Sequence, residues 1–173
     1  MKSCDEFSES EDLTSTYFYG VEYPPPNGER VEKFLTAFAA ILRHSNYSLL
    51  LDFYARTGAA RCTCCPVSCQ IYRASGDPRL IPCYRTNLLL DVYRRHFTPS
   101  GWLQNQFLNR APLTEEKIDE LAELVYRCNT CHRCKFECPQ GIDHGLMTRL
   151  GRYILSEIGI VPEELARLTR EQL

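Results

Sequence analysis

Long apolar runs, export signals and nucleotide-binding fingerprints are all missing from this sequence. No stretch among its 173 residues approaches the roughly 18 uninterrupted apolar residues of a membrane-spanning helix. Residues 1–30 are acidic and contain no apolar segment of the kind that export signals need, which predicts a cytoplasmic chain that is not itself transmembrane. There is no Gly-rich phosphate loop and no flavin or nicotinamide motif. The sequence therefore offers no recognisable substrate site of its own.

Alternating apolar and polar runs, which would indicate strands, are also missing. Apolar residues instead recur three and four positions apart, as Phe34, Phe38 and Ile41 do within residues 30–44. Thr114 and Asp143 are candidate N-caps of two later helices. The second of these helices should bury one apolar face: Leu146, Leu150, Tyr153, Ile154 and Ile158. The pattern predicts an all-α fold with loops of cysteines between helices.

Charge divides the chain unevenly. Residues 1–33 hold eight acidic and three basic side chains, and residues 34–113 hold nine basic and three acidic ones. We expect residues 1–29 to form an acidic N-terminal arm rich in aromatics and proline, and residues 30–173 to form one helical domain.

A net charge of −2 and the lack of a known binding module argue against a nucleic-acid partner. Arginines of the middle section, among them Arg73, Arg79, Arg85 and Arg94, should surround the nearby cysteines.

One cysteine motif is highly specific. The segment Cys128-Asn-Thr-Cys131-His-Arg-Cys134-Lys-Phe-Glu-Cys138-Pro139 has the spacing C-x2-C-x2-C-x3-C-P, which binds [4Fe–4S] clusters in bacterial ferredoxins. Thiolates are soft ligands that select iron–sulfur clusters, zinc or Cu(I). The fourth cysteine, Cys138, should leave on a helix, and in two-cluster proteins it commonly binds the other cluster.

Two other interpretations use part of this motif. Cys128, Cys131 and His132 match the C-x-x-C-H pattern of covalent haem attachment, which requires an exported chain and leaves Cys134 and Cys138 without a role. A zinc site would pair the two C-x2-C units that begin at Cys128 and at Cys62, and it leaves several cysteines unused.

A second cysteine group precedes the motif. Its members are Cys62, Cys64, Cys65, Cys69 and Cys83. When this group is aligned to the same spacing, the first ligand position falls on Ala59, which cannot bind a metal. Either Cys64 or Cys83 could replace it. We favour Cys83, because it follows Pro82 at a predicted helix N-terminus, where a thiolate is stabilised. Cys4, the remaining cysteine outside both groups, has no partner nearby in the sequence.

Eight of the ten cysteines then suffice for two clusters. In a crossed arrangement, one cluster takes Cys69, Cys128, Cys131 and Cys134, and the other takes Cys62, Cys65, Cys83 and Cys138. An uncrossed arrangement would use the same eight residues.

The order of motifs resembles a known family. The first cysteine group, Tyr72, Pro82-Cys83-Tyr84-Arg85, Tyr93-Arg94-Arg95, Tyr126-Arg127-Cys128 and the C-terminal motif follow one another as in the two-cluster ferredoxin module of heterodisulfide-reductase-like iron–sulfur proteins. That module forms the C subunit of heterodisulfide reductase, the N-terminal part of its D subunit and part of a K subunit associated with sulfite reduction. The resemblance covers roughly residues 45–165 and implies an α-helical ferredoxin fold with two [4Fe–4S] clusters.

The resemblance also implies a function and partners. Residues 1–173 contain none of the C-C-G repeats that hold the catalytic clusters of the family, so we expect an electron-transfer subunit without its own catalytic site. Its expected partners are a subunit with C-C-G repeats, a flavoprotein or a membrane cytochrome subunit, which would hold the chain at the inner face of the membrane in an anaerobic setting. The alternatives are a cluster-based redox sensor and a zinc-stapled interaction protein.

Overall fold

The computed structural model describes residues 29–57, 62–101, 103 and 112–172. The predicted N-terminal arm lies outside the described residues except for Glu29, as do Cys4 and Ala59. Within the described residues eight helices are bounded as follows: α1 (Arg30–His44), α2 (Tyr47–Thr57), α3 (Gln70–Ser75), α4 (Pro82–Phe97), α5 (Glu115–Tyr126), α6 (Arg133–Phe136), α7 (His144–Glu157) and α8 (Glu163–Glu171). These residues include no strand, which confirms the all-α prediction.

The core forms where α7 packs against α1, α4 and α5. Phe34 and Phe38 of α1, Leu89 of α4, Leu121 of α5 and Ile154 of α7 are all buried there. Each such side chain contributes roughly 2 kcal/mol by leaving water. The ring of Phe38 lies 4.9 Å from that of Phe97, measured between centroids. This core fixes the relative positions of the helix ends that carry the cysteines.

Apolar periodicity predicts the long helices correctly and the burial of one residue, Tyr153, incorrectly. The predicted helix over residues 30–44 coincides with α1, and Asp143 caps α7 as expected, with its side chain accepting a hydrogen bond from the backbone N–H of Leu146. Tyr153 was expected to be buried, and that is wrong because it is 64% exposed. The buried face of α7 instead includes Gly151, at which a Cβ would lie 3.1 Å from a methyl carbon of Val125. Glycine thus allows close helix packing at a position that hydropathy does not mark.

Most of the described cysteines lie in loops and short elements between the long helices. A 3₁₀ turn at Cys65–Ser68 contacts α6, and a second 3₁₀ turn at Pro78–Leu80 leads into α4. The expectation that Cys138 leaves directly on a helix is wrong. Gly141 N–H donates to the carbonyl oxygen of Cys138 at 3.0 Å in a turn, and α7 begins only at His144. The cause is Pro139, because a residue that precedes proline is disfavoured in helical geometry.

None of the helices in the described residues is both long enough and apolar enough to cross a membrane.

Candidate metal centre

Two cavities lie beside the N-terminal ends of α4 and α7. The first cavity is lined by Cys62, Cys65, Cys83, Thr86, Asn87, Cys138, Gln140, Ile142 and His144. The second cavity is lined by Cys69, Gln70, Ile71, Arg85, Cys128, Asn129, Cys131, His132, Cys134 and Gly145. Consecutive residues of α4 face different cavities, since Arg85 lines the second and Thr86 the first. His144 and Gly145 of α7 divide in the same way, so these two helix ends form a wall between the cavities.

Every cysteine that was predicted as a ligand lies at one of the two cavities. Each cavity has four, and the sets are those of the crossed arrangement. Buried Cys65 of one set and buried Cys134 of the other belong to the same apolar cluster, so the two sets are neighbours. The structure therefore brings the predicted residues together, while the binding of a metal by them stays a prediction.

Cys64 lines neither cavity. Its thiol lies 3.5 Å from the carbonyl oxygen of Cys62 and donates a hydrogen bond to it. A side-chain hydrogen bond with Cys62, and to a smaller extent burial, raise the pKa of Cys64 above its ordinary value. The geometry therefore favours Cys83 over Cys64 as the replacement for the ligand position at Ala59.

Cys83 is the second residue of α4 and faces the first cavity. A hydrogen bond with Cys65 lowers the pKa of Cys83 to about 7, against the opposing effect of burial. Its own backbone N–H and the positive charge of Arg85 act in the same direction as the hydrogen bond. This position at a helix N-terminus stabilises a thiolate, which is the form that binds metals.

The loops that carry the cysteines contain unusual backbone conformations. Thr63, Thr130 and His132 have φ angles of 53°, 49° and 60°, in the left-handed region that residues other than glycine rarely adopt. Each costs of order 1–3 kcal/mol, and such strain tends to occur at functional sites. Thr130 gains in return a hydrogen bond from its backbone N–H to the Sγ atom of Cys128 at 3.3 Å. The left-handed turns direct successive cysteines towards the cavities.

Gly145 allows the imidazole of His132 to lie against α7. A Cβ at position 145 would be 2.8 Å from the Nδ1 atom of His132, which is closer than atoms can approach. The sequence carries no signal for this contact, because it joins a loop to a helix start.

Arg85 is buried with 3% of its surface exposed. Its Nη1 atom donates to the carbonyl oxygen of Leu80 at 2.6 Å, and its Nη2 atom donates to the Sγ atom of Cys128 at 3.5 Å. The buried Nε atom has no hydrogen-bond partner among the described residues. Arg85 thus presents a positive charge and an unsatisfied donor beside the second cavity.

The other arginines of the basic middle section meet the sequence prediction only in part. Arg79 forms an ion pair with Asp77 at 2.8 Å, and Arg94 donates to the carbonyl oxygen of Ala55 at 2.9 Å. Arg73 is exposed on α3. Composition marks a basic segment, but the acceptor of each guanidinium is set by tertiary packing.

Arg152 anchors the loop that begins at Cys128, and no motif or spacing in the sequence singles it out. Its Nε atom donates to the carbonyl oxygen of Val125 at 2.9 Å, and its Nη2 atom donates to the carbonyl oxygens of Tyr126 and Cys128. The guanidinium also lies 5.4 Å from the centroid of the Tyr126 ring. Arg152 therefore supplies donors to carbonyls at and just after the C-terminal end of α5, of which that of Val125 also accepts from the backbone N–H of Cys128.

His144 is, after Arg152, the second candidate functional residue that the residue spacing in the sequence did not indicate. It is buried at the first cavity, and its Nδ1 atom lies 2.8 Å from the Oγ1 atom of Thr86. Burial, with a smaller effect of Arg85, lowers the pKa of His144 to about 4. His144 is therefore neutral at pH 7 and lines the first cavity without adding charge.

The donor set of the two cavities fits iron–sulfur clusters. Each cavity is lined by four cysteines, which is the ligand number of a [4Fe–4S] cluster. The unpartnered Nε atom of Arg85 beside the second cavity fits an anionic group there. In residues 29–57, 62–101 and 112–172, no three or more His, Cys, Asp or Glu side chains are arranged to hold a single metal ion.

Part of the chain matches a known protein family, and two curated proteins are similar to it in sequence. Residues 60–142 match the family model of the 4Fe-4S dicluster domain. A protein described as "Hdr-like menaquinol oxidoreductase iron-sulfur subunit 2" from Archaeoglobus fulgidus is 35% identical over 130 residues, which are 75% of this chain and 22% of that protein. A protein described as "Hdr-like menaquinol oxidoreductase iron-sulfur subunit" from Archaeoglobus profundus is 35% identical over 100 residues, which are 58% of this chain and 18% of that protein.

The chain thus spans about a fifth of the length of these curated relatives. No solved structure matches it. The matched segment contains the cysteines of both cavities, from Cys62 to Cys138, and the relatives carry the family name that the order of motifs predicts. Residues 60–142 therefore contain a 4Fe-4S dicluster domain, and the relatives support a heterodisulfide-reductase-like iron–sulfur module.

Proposed function

We propose that this chain is an electron-transfer subunit that binds two [4Fe–4S] clusters and passes single electrons through them between partner redox subunits. Cys62, Cys65, Cys83 and Cys138 would hold one cluster at the first cavity. The second cavity would hold the other through its own four cysteines: Cys69, Cys128, Cys131 and Cys134.

The observation that carries the proposal is the pair of neighbouring four-cysteine cavities. Each set draws on both cysteine groups of the sequence, so neither cavity can form unless the two groups fold together. A common wall between the cavities supports transfer from one to the other, because it keeps two redox centres close and within one rigid part of the protein. A dicluster match over the same residues gives independent support.

The residues of this chain would supply binding, charge and shielding. A [4Fe–4S] cluster, when bound, accepts and releases one electron at a potential that hydrogen bonds, charge and burial set. Cys65 and Cys134 are buried and would keep water from one side of each site. Arg85 and Arg152 place positive charge near Cys128. No residue of the described chain is needed here as an acid, a base or a nucleophile.

We further propose that the chain works within a membrane-associated oxidoreductase complex. The two relatives are described as iron–sulfur subunits of menaquinol oxidoreductases, which supports partners of the same general kind. A C-C-G-repeat subunit, a flavoprotein or a membrane cytochrome subunit would exchange electrons with it. The chain itself would then lie on the cytoplasmic side, held at the inner face of the membrane by such a partner.

The test is to count metal and follow reduction in protein purified without oxygen. We expect about eight iron and eight acid-labile sulfide per chain, and a paramagnetic resonance spectrum after dithionite that shows coupling between two spins. Reoxidation should restore the starting spectrum with all iron retained. Zinc without sulfide would reject the proposal, and four iron would reject its second cluster.

A redox sensor is the second candidate, and one observation favours it. Cys131 is exposed, although it lines the second cavity, so an oxidant can reach one proposed ligand from solvent. In a sensor, cycles of reduction and air would release iron and change the binding of a partner. Retention of iron over several cycles favours the electron-transfer subunit, and stepwise loss favours the sensor.

A further inference from the structure

The buried charge of Arg85 has no carboxylate to balance it. With 3% of its surface exposed, Arg85 is one of the few buried charged residues of the described chain. No ion pair joins it to any carboxylate among the described residues, whereas Arg30 pairs with Asp119 at 2.7 Å and Arg79 with Asp77 at 2.8 Å. A buried charge is retained in proteins when something nearby neutralises it.

The donors of Arg85 point to what that neutralising group is. One terminal nitrogen is used by the carbonyl oxygen of Leu80, and the other reaches the Sγ atom of Cys128 at 3.5 Å. The Nε atom is buried and has no acceptor within the described residues. Four cysteines line the same cavity, so an anionic centre bound by them would balance the guanidinium and accept from its free donor.

The first cavity has no such residue. Among the described residues that line it there is no Lys and no Arg, and the polar ones are Thr86, Asn87, Gln140 and His144. Cys83 lies at the positive end of α4, which amounts to roughly half an elementary charge, less than the full charge of Arg85. Near the second cavity, Arg152 supplies a further positive charge, because it donates to the carbonyl oxygen of Cys128. The two sites are therefore electrostatically unequal.

We propose that Arg85 makes the cluster at the second cavity the easier of the two to reduce, and so sets the direction in which electrons pass through the chain. This rests on the proposed function, since it requires that both cavities bind clusters. Reduction adds one electron and one negative charge to a cluster. A positive charge and hydrogen bonds to its sulfurs favour that reduced form and raise the potential. An electron from a donor subunit would enter at the first cavity, move to the second and leave from there to an acceptor subunit.

The order in which the two clusters are reduced can be tested while Arg85 is unchanged. Cys131→Ser would mark the second cavity, because a change of ligand alters the spectrum of the cluster that it binds. In a redox titration followed by paramagnetic resonance, we expect the signal that this variant changes to be the one that appears at the higher potential. If the marked signal appears at the lower potential, the inference is overturned without any change at Arg85.

A matched pair of variants tests the residue. Arg85→Gln should lower the potential of the marked signal more than that of the other, because Arg85 hydrogen-bonds Cys128 at the second cavity and acts on Cys83 at the first only through its charge. Arg73→Gln removes the same charge from an exposed position on α3 and should shift neither signal. Arg85→Lys keeps the charge and should preserve the order of reduction, and it serves as the readout if Arg85→Gln does not fold.

Failure of the proposed function and failure of the role of Arg85 would give different results. If iron and sulfide are absent from the wild type, the proposed function is lost. If both clusters are present and Arg85→Gln leaves the marked potential unchanged, or if Arg85→Lys reverses the order, only the role of Arg85 is rejected.

Discussion

The Nδ1 atom of His132 lies 2.8 Å from the Oδ1 atom of Asp143, and the same oxygen accepts a hydrogen bond from the backbone N–H of Leu146 at 2.9 Å. One carboxylate thus caps α7 and holds a residue of the cysteine loop. The backbone N–H of Asp143 in turn donates to the hydroxyl of Tyr54 at 3.0 Å. These contacts tie the loop between Cys131 and Cys134 to the core.

Asp143→Ala should therefore destabilise both the helix and the loop. Loss of an N-cap costs about 1 kcal/mol, and loss of the contact with His132 adds to that cost. Urea unfolding of the anaerobic protein should show a lower midpoint. Thr114→Ala is the control, because Thr114 occupies the N-cap of α5 but its side chain makes no capping hydrogen bond. Equal losses in the two variants would contradict the role of Asp143.

Gly145→Ala should disturb the second cavity specifically. A Cβ there would collide with the His132 ring, and overpacking of this kind costs about 1–3 kcal/mol. We expect less iron per chain and a weakened signal from the cluster that Cys131→Ser also affects. Arg149→Ala changes an exposed residue of the same helix and should retain full iron. Full iron in Gly145→Ala would show that the His132 ring can move at no cost to the site.

Arg152→Met should loosen the start of the cysteine motif. The change leaves the carbonyl oxygens of Val125, Tyr126 and Cys128 without their common donor, which we expect to cost about 2 kcal/mol. Hydrogen exchange at the end of α5 should become faster. In Arg149→Met, whose side chain is exposed on the same helix, exchange there should stay at the wild-type rate. If both variants exchange alike, the carbonyl contacts of Arg152 are not what holds this end.

His144 should make stability depend on pH. Burial lowers its pKa to about 4, against about 6.5 in an unfolded chain, so the unfolded state binds the proton first as the pH falls. The groups that face His144 are Thr86, the charge of Arg85 and the carboxylate of Asp143. The stabilisation is complete above about pH 6.5 and is lost as the pH falls towards 4, with a loss of about 2 kcal/mol at pH 5.

The measurement is the free energy of unfolding at pH 7 and at pH 5. His144→Asn, which can still hydrogen-bond to Thr86, should lose part of this difference. His44→Asn alters an exposed histidine and should retain it. A wild-type protein that is equally stable at both pH values would contradict the burial of a neutral His144.

The sequence allowed some features to be predicted closely. The eight cysteines that line the two cavities were singled out from ligand spacing, whereas spacing left the crossed and uncrossed arrangements open, and the fold groups them four and four. The bounds of α1 follow from its apolar period, and the start of α7 follows from the capping chemistry of Asp143. These are local properties, which neighbouring residues determine.

Other features depend on contacts between distant segments. Arg85 and Cys128 are 43 positions apart, and Thr86 and His144 are 58 apart, so no local pattern reports either contact. Arg152 reaches the end of α5 only after α5 and α7 pack together. Tyr153 was misplaced because a small residue, Gly151, defines the buried face of α7. Tertiary packing, rather than composition, determines these contacts and the exposure of Tyr153.

We propose that two sites of four cysteines each bind a cluster, with Cys83 completing the first. Iron per chain should be measured in anaerobically purified wild type, Cys83→Ser and Cys64→Ser. Cys83→Ser should lose about half the iron, and Cys64→Ser should retain all of it. Loss of half the iron in Cys64→Ser, with full iron in Cys83→Ser, would show that Cys64 and not Cys83 completes the first site.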